Sequence, residues 1–195
     1  MWRDTVKILK ERIMKDGKVF PGNVLKVDSF INHQIDTGLM AEIGEEFKRR
    51  YDNCGITKVL TIEASGIAIA SFVAYKMGVP LVFAKKTQTK NIASDVYTAK
   101  VTSYTHGRVY DVIVSKEFIT SADKVLIIDD FLANGQALLG LIEIVRSAGA
   151  EVAGAGIVIE KSFQDGGKLI RNSGIRVESL AMVSSLENGT VTFED

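Results

Sequence analysis

Cysteine and histidine are scarce in this sequence. Its 195 residues include one cysteine, Cys54, and two histidines, His33 and His106. A single cysteine can form no disulfide within the chain, which favours a reducing compartment such as the cytoplasm. These residues do not show the spacing of metal ligands or of a catalytic nucleophile and its base. We therefore predict neither a metal site built by the protein nor catalysis by Cys54.

Net charge and membrane-length apolar runs are also absent. The chain carries 24 Lys and Arg residues against 24 Asp and Glu residues, and it has only two prolines. A nucleic-acid-binding protein usually has a basic excess, so the balance disfavours a DNA or RNA partner. The uncharged stretch over residues 64–75 is too short to span a bilayer, and charged residues 1–17 do not resemble a signal peptide. We expect no membrane partner.

What is present is the composition of a globular protein, with 46% hydrophobic and 25% charged residues in a length typical of one domain. Short β-branched runs alternate with segments of helical periodicity. Several runs are apolar throughout, which is typical of parallel strands buried on both faces. The pattern predicts an α/β domain with a doubly wound, mainly parallel sheet flanked by helices. Predicted strands cover residues 58–63, 81–84, 111–115, 125–129, 152–160 and 177–180; predicted helices cover 3–16, 37–52, 66–77 and 135–148.

The most informative segment is VLIIDDFLANGQA, residues 125–137. Four apolar residues lead into Asp129 and Asp130, and a short turn precedes a helix that begins near Gly135. The turn amides and the helix N-terminus suit a phosphate, and Gly135 permits close approach of the backbone. The carboxylates suit the vicinal hydroxyls of a ribose or a cation such as Mg²⁺. For an isolated acidic pair, the alternative is an ordinary strand end and helix cap.

The whole segment resembles the phosphoribosyl-pyrophosphate (PRPP) motif of the type I phosphoribosyltransferases. The usual motif has threonines where this chain has Ala133, Asn134 and Ala137. The variant IIDDFLANGQA is similar to the form found in bacterial xanthine phosphoribosyltransferases. Three further segments resemble that family in the same order: LKVDSFINHQID (25–36), TIEASGIA (61–68) and GIVIEKSFQ (156–164). The resemblance implies a single phosphoribosyltransferase domain over residues 1–195. The implied reaction converts xanthine and PRPP to xanthosine 5′-monophosphate and pyrophosphate in purine salvage.

The resemblance also implies a role for each residue of the PRPP site. The 5′-phosphate would lie on the phosphate loop, residues 133–137: Ala133, Asn134, Gly135, Gln136 and Ala137. Asp129 and Asp130 would hold the ribose hydroxyls, and Asp130 is the candidate base near the purine. Ser65 and Gly66, together with Lys85, would receive the pyrophosphate, and Lys86 could assist. Mg²⁺ would be bound mainly through oxygens of PRPP and pyrophosphate.

The base site implied by the resemblance combines a strand end with an N-terminal hood, residues 20–36. Lys161 would donate to O6 of a 6-oxopurine, and Phe131 would flank the ring. Asn32 offers a donor and an acceptor to a purine edge with two carbonyls, and Leu25 offers an apolar contact. Residues 87–109 are polar and long for a connection, so they are either a mobile lid or an ordinary β-excursion. The family is generally dimeric, which implies a homodimer.

Three alternatives remain open from the sequence. The first is an enzyme of the same fold that acts on guanine, hypoxanthine or adenine. The second is a purine-responsive regulator that binds PRPP and nucleic acid, which the neutral charge and the lack of a spare domain disfavour. The third is a non-catalytic nucleotide-binding module, against which the acidic pair, the lid-like segment and Lys161 argue.

Overall fold

The structure is a computed structural model, and it describes residues 4–86, 95–103 and 108–194. Its helices are α1 (Thr5–Asp16), α2 (Thr37–Arg50), α3 (Ser65–Met77), α4 (Gln136–Ser147) and α5 (Gly166–Asn172). Its strands are β1 (Lys18–Phe20), β2 (Val24–Lys26), β3 (Lys58–Ile62), β4 (Leu81–Ala84), β5 (Val96–Ser103), β6 (Arg108–Ser115), β7 (Lys124–Leu132), β8 (Glu151–Lys161), β9 (Val177–Ser185) and β10 (Thr192–Phe193). A π-helical turn covers Asp28–Asn32, and a 3-10 turn covers Glu187–Gly189.

A six-stranded sheet forms the centre of the fold, in the order β10-β9-β8-β7-β3-β4. Its strands are parallel except for β10, which is antiparallel to β9. This arrangement confirms the predicted α/β architecture with a mainly parallel sheet. None of the helices in the described residues has the length and hydrophobicity that a membrane span requires.

Helices cover both faces of the sheet, and β7 shows why its sequence is apolar throughout. Leu126 and Ile128 belong to a buried cluster with side chains of α1, α2 and α3. Ile127 belongs to a second cluster with side chains of α4 and α5. Because successive residues of a strand point to opposite faces, a sheet covered on both sides needs an apolar residue at every position.

The strands β5 and β6 form an antiparallel hairpin that packs on α4. A Cβ atom added to Gly140 of α4 would lie 2.5 Å from Cγ2 of Val101 in β5, so the two backbones approach closely. Of the two alternatives for residues 87–109, a lid or a β-excursion, the described part contains the strands of a β-excursion. Residues 87–94 and 104–107 lie outside the described residues, and the lid stays a prediction.

Several boundaries differ from the sequence-based expectation. The predicted strand 125–129 extends to Leu132, because β7 pairs with β8 up to Leu132 and Glu160. Asp130 consequently lies within β7, together with Asp129, rather than after it. Lys161 is the last residue of β8 rather than the first residue beyond it. The hairpin β1–β2, the π-helical turn and α5 are not predicted from the sequence.

Candidate active site

The candidate residues converge because the parallel strands β3, β4, β7 and β8 end at the same edge of the sheet. Three of these ends are followed by a segment predicted to contact the substrate: residues 63–66 after β3, residues 85–86 after β4 and residues 133–137 after β7. The fourth strand, β8, ends at Lys161. In parallel α/β sheets, ligands bind at this edge. The topology therefore brings the acidic pair, the two segments predicted to bind phosphate groups and Lys161 to one region.

Asp129 and Asp130, the acidic pair, are 5% and 8% exposed. The backbone N–H of Asp130 donates to Oδ1 of Asp129 at 3.0 Å. Burial raises the pKa of Asp129 well above its ordinary value, and the charge of Asp130 raises it further, while Lys86 acts in the opposite direction. The ligand-free site thus holds a carboxyl group whose charged form is poorly solvated. Hydroxyl donors or a cation would stabilise that charged form.

We expect Asp129→Asn to raise the free energy of unfolding of the ligand-free protein at pH 7 by about 0.5–2 kcal/mol, because it removes a poorly solvated charge. Substitutions at functional sites often stabilise a protein by about this amount. A carboxyl group with a raised folded-state pKa favours folding while it is protonated. That contribution is fully present below the unfolded-state pKa of about 3.9 and is lost as pH rises through the raised value. Asparagine stays neutral at every pH, and its Oδ1 can still accept from the Asp130 amide.

Urea denaturation at pH 7 and at pH 3.5–4 (roughly the unfolded-state pKa) measures this effect. The advantage of Asp129→Asn over wild type should shrink at the lower pH, because wild-type Asp129 is then protonated in the folded protein. Equal stability of the two proteins at pH 7 would contradict the burial argument.

The phosphate loop turns sharply from β7 into α4. Gly135 has φ of 80°, a left-handed conformation that favours glycine. The side-chain Oδ1 of Asn134 accepts from the backbone N–H of Gln136 at 3.2 Å. Asn134 therefore caps the start of α4 from within the loop, which supports the loop conformation.

The segment predicted to receive the pyrophosphate, residues 63–66, lies directly beside the acidic pair. Ser65 begins α3, and a Cβ atom added to Gly66 would lie 3.2 Å from Oδ1 of Asp129 and would collide with Oγ1 of Thr61. Glycine is required here because α3 packs so closely on β3 and β7 that no side chain fits between the helix and these strands. Thr61 Oγ1 is buried, and no hydrogen-bond partner for it is found among the described residues.

The two lysines after β4 have different surroundings. Lys85 pairs through its backbone with Ile113, and it lines a groove along β4 with Phe83 and Phe118. The backbone N–H of Lys86 donates to Oε1 of Glu63 at 2.7 Å. Because the charge of Lys86 also acts on Asp129, Lys86 is the lysine that the structure associates with the acidic pair.

Lys161 connects the end of β8 to the hood. Its Nζ donates to the backbone carbonyl of Asn23, in the turn between β1 and β2, at 2.8 Å. The same Nζ lies 5.7 Å from the centre of the Phe131 ring. Burial lowers the pKa of Lys161. The predicted pair of Lys161 and Phe131 is thus brought together, and the hood turn lies beside it.

The hood residues Leu25 and Asn32 have contrasting environments. Leu25 is 6% exposed, belongs to a hydrophobic core cluster and lies beside Gly17. Asn32 ends the π-helical turn, and its Oδ1 is buried without a hydrogen-bond partner among the described residues. Burying an unpaired carbonyl oxygen is costly, so this acceptor suits a ligand N–H.

Sequence reasoning does not identify Tyr110, which lies in β6. Burial raises the pKa of Tyr110, and the negative charge of Asp129 adds to that effect. The Nζ of Lys86 lies 5.8 Å from its ring centre. No local motif marks this tyrosine. It reaches the site through the tertiary pairing of β6 with Lys85.

The acidic pair offers few ligands to a metal. In the parts of the chain that the structure describes, no group of three His, Cys, Asp or Glu residues could hold a metal ion, and His106 lies outside those parts. Mg²⁺ commonly uses one or two carboxylates and takes its remaining ligands from substrate phosphates and water. Two adjacent buried carboxylates fit a cation bound in that way.

Comparisons with known proteins support the same interpretation. The family model for the phosphoribosyl transferase domain matches residues 33–177. The chain is similar to the xanthine phosphoribosyltransferase of Lachnoclostridium phytofermentans, with 60% identity over 190 residues that cover 96% of this chain and 98% of the relative. It is similar to that of Clostridium novyi, with 58% identity and coverage of 97% and 100%.

Solved structures confirm the predicted fold. The adenine phosphoribosyltransferase of Giardia lamblia, complexed with 9-deazaadenine, has a TM-score of 0.75 at 22% identity, over 88% of this chain and 96% of that one. The adenine phosphoribosyltransferase of Rhodothermus marinus has a TM-score of 0.74 at 21% identity, with coverage of 90% and 97%. At these identities the likeness establishes the fold and not the base.

Proposed function

We propose, because the chain belongs to the phosphoribosyltransferase family, that it transfers the 5-phosphoribosyl group of PRPP to N9 of xanthine. The products are xanthosine 5′-monophosphate and pyrophosphate, and the reaction is one of purine salvage. The observation that carries this proposal is the buried acidic pair beside the phosphate loop at the end of β7. The names of relatives 53–60% identical to the chain support xanthine as the base.

The sugar phosphate would be held by the end of β7 and the start of α4. Amides of residues 133–137 would donate to the 5′-phosphate at the positive end of the helix dipole. Asp129 and Asp130 would accept hydrogen bonds from the 2′- and 3′-hydroxyls. These donors would solvate the charged form of Asp129, which is disfavoured in the ligand-free site.

The leaving pyrophosphate would be received by the segment around Ser65 and Gly66. Lys85 and Lys86 follow the neighbouring strand and would add positive charge, with Lys86 associated with the acidic pair. We propose Mg²⁺ as the cofactor, held mainly by substrate oxygens. When bound, it would neutralise part of the charge on the leaving pyrophosphate.

The base would be read from two sides. An ammonium group has three donors, so Lys161 can donate to O6 of xanthine while it keeps its bond to Asn23. The Oδ1 of Asn32 would accept from a ring N–H, and its amide nitrogen would donate to the 2-oxo group. Phe131 would flank the ring near Lys161, and Leu25 would support the hood from the core.

In the reaction, the bond between C1 of the ribose and the pyrophosphate oxygen breaks, and N9 forms a new bond to C1. Positive charge develops on the ribose as pyrophosphate leaves, so positioning and electrostatics supply most of the rate. We assign Asp130 as the group that takes the proton from N9, because a carboxylate beside the sugar can accept it. The carboxylates also stabilise the cationic sugar.

An assay with purified protein, PRPP, Mg²⁺ and a panel of bases tests this function. We expect pyrophosphate and xanthosine 5′-monophosphate from xanthine, lower kcat/KM with hypoxanthine and guanine, and loss of turnover when EDTA removes Mg²⁺. A higher kcat/KM with guanine would favour the same fold acting on another base. PRPP binding without turnover of any base would favour the regulator or the non-catalytic module, and salt-dependent binding of nucleic acid would select the regulator.

We also propose that the protein is a homodimer in the cytoplasm. The phosphoribosyltransferase family is generally dimeric, and a two-fold dimer is the commonest assembly. Sedimentation of the purified protein should give twice the chain mass of 21.3 kDa.

A further inference from the structure

A buried carboxylate outside the proposed substrate contacts is bound by two side chains through three hydrogen bonds. Glu160, next to Lys161 in β8, is 2% exposed. Its two carboxylate oxygens accept from Nη1 and Nη2 of Arg171 at 2.7 Å each, and Oε2 also accepts from the hydroxyl of Ser179. Burial raises the pKa of Glu160, but the hydrogen bonds from Arg171 and Ser179 and the charge of Arg171 outweigh it, so the pKa is lowered. Glu160 is thus a fully paired, buried anion.

The short helix α5 lies directly on this ion pair. Arg171 is in its last turn, and Gly167 is in its first. A Cβ atom added to Gly167 would collide with Oε1 of Glu160 and would lie 2.5 Å from Nη1 of Arg171. The distance of α5 from the sheet is therefore set by the carboxylate of Glu160.

The first residue of α5 lies on the phosphate loop. The backbone N–H of Gly166 donates to the carbonyl of Ala133 at 3.0 Å. A Cβ atom added to Gly166 would collide with that carbonyl and would lie 2.5 Å from the backbone nitrogen of Gly135. The phosphate loop and the start of α5 are in direct backbone contact, with no side chain between them.

We propose that Glu160 and Arg171 are positioning residues for binding of the 5′-phosphate. The bidentate ion pair fixes α5, and Gly166 of α5 fixes Ala133 and Gly135 in the conformation that presents the loop amides to the ligand. Arginine suits this role because its planar fork binds both carboxylate oxygens at once, which lysine cannot do. The inference deepens the proposed function and rests on it, since the ligand is the phosphate end of PRPP.

Loss of the ion pair between Glu160 and Arg171 should affect the binding of one of the two substrates. Lys161 lies in β8, where the last residues pair with β9 up to Lys161 and Val183, so its position does not depend on α5. Loss of the bidentate geometry should therefore weaken PRPP binding and spare xanthine binding. A role in stability alone would lower the melting temperature and change neither affinity.

The decisive variant is Arg171→Lys, which keeps the charge and removes the fork. Its control is Arg146→Lys, the same change at an exposed position in the last turn of α4. We expect Arg171→Lys to raise the Kd for PRPP with Mg²⁺, measured by calorimetry without a base, by about tenfold or more. KM for PRPP should rise in parallel, KM for xanthine should stay within about twofold, and Arg146→Lys should match wild type.

Gly167→Ala tests the same contact from the other side, because the added methyl group meets the ends of two side chains that can shift. It should show the same selective loss of PRPP affinity. Gly167→Ala therefore still tests the inference if Arg171→Lys does not fold. Either variant, if folded, would overturn the inference by showing a lower melting temperature with an unchanged Kd for PRPP. Equal rises in KM for PRPP and KM for xanthine would overturn it as well.

If wild type binds PRPP but does not use xanthine, the proposed function fails and this inference is still decided by the Kd values. If wild type does not bind PRPP, both are wrong.

Discussion

Asp130→Asn should lower kcat by about 10²–10⁴-fold, the usual contribution of a positioned general base. Asparagine has the same shape, so it can still accept a hydrogen bond from a ribose hydroxyl, but it takes no proton from N9 and carries no charge to stabilise a cationic sugar. Steady-state kinetics with saturating xanthine should therefore show a large change in kcat and a much smaller change in KM for PRPP.

Asp129→Asn is the matched control, because it makes the same chemical change one residue earlier. Asp129 lies beside Gly66 and is the more buried of the two by a small margin, with 5% exposure against 8%. We expect its substitution to act chiefly on KM for PRPP. If Asp130→Asn retained full turnover with unchanged PRPP affinity, the assignment of Asp130 as the base would be wrong.

Lys161→Met should lower kcat/KM for xanthine by about 10–10²-fold, because the lost hydrogen bond to O6 comes from a charged donor and such a bond contributes about 1.5–3 kcal/mol. Methionine keeps much of the apolar stem, so packing against Phe131 is largely retained. KM for PRPP should change little, because the phosphate loop follows a different strand.

Asn32→Ala separates recognition of the two carbonyl groups of xanthine. Hypoxanthine lacks the 2-oxo group, so this variant should reduce kcat/KM for xanthine far more than for hypoxanthine. Lys161→Met should reduce both, since both bases carry O6. A proportional loss for both bases with Asn32→Ala would contradict a contact to the 2-oxo group, and equal losses for xanthine and PRPP would remove Asn32 from the base site.

Strands that are buried on both faces of the sheet are predictable from the sequence, because such burial requires a continuous run of apolar residues. The apolar runs of β7 and β8 predict central parallel strands, and the segment that ends at Ala137 carries the family resemblance that the comparisons confirm. Boundaries at the site are less predictable. Asp129 and Asp130 are polar yet belong to β7, because pairing with β8 continues past them.

Other features depend on tertiary contacts that local sequence does not encode. Helix α5 has seven residues, two of them glycines, and it is stabilised by the ion pair between Glu160 and Arg171 rather than by helix propensity. Whether Lys85 or Lys86 acts on the acidic pair depends on side-chain direction at the end of β4. The roles of individual site residues therefore need the variants described above.

The bond between Lys161 and Asn23 has a consequence for redesign of the enzyme. One ammonium group serves the hood turn and, in the proposed complex, the purine O6. A designer who wants a 6-aminopurine substrate needs an acceptor at position 161, but a carboxylate there would leave the Asn23 carbonyl without its donor. Retargeting with a carboxylate would thus require a second, compensating substitution in the turn, whereas a glutamine at position 161 offers both an acceptor for the base and a donor for the turn.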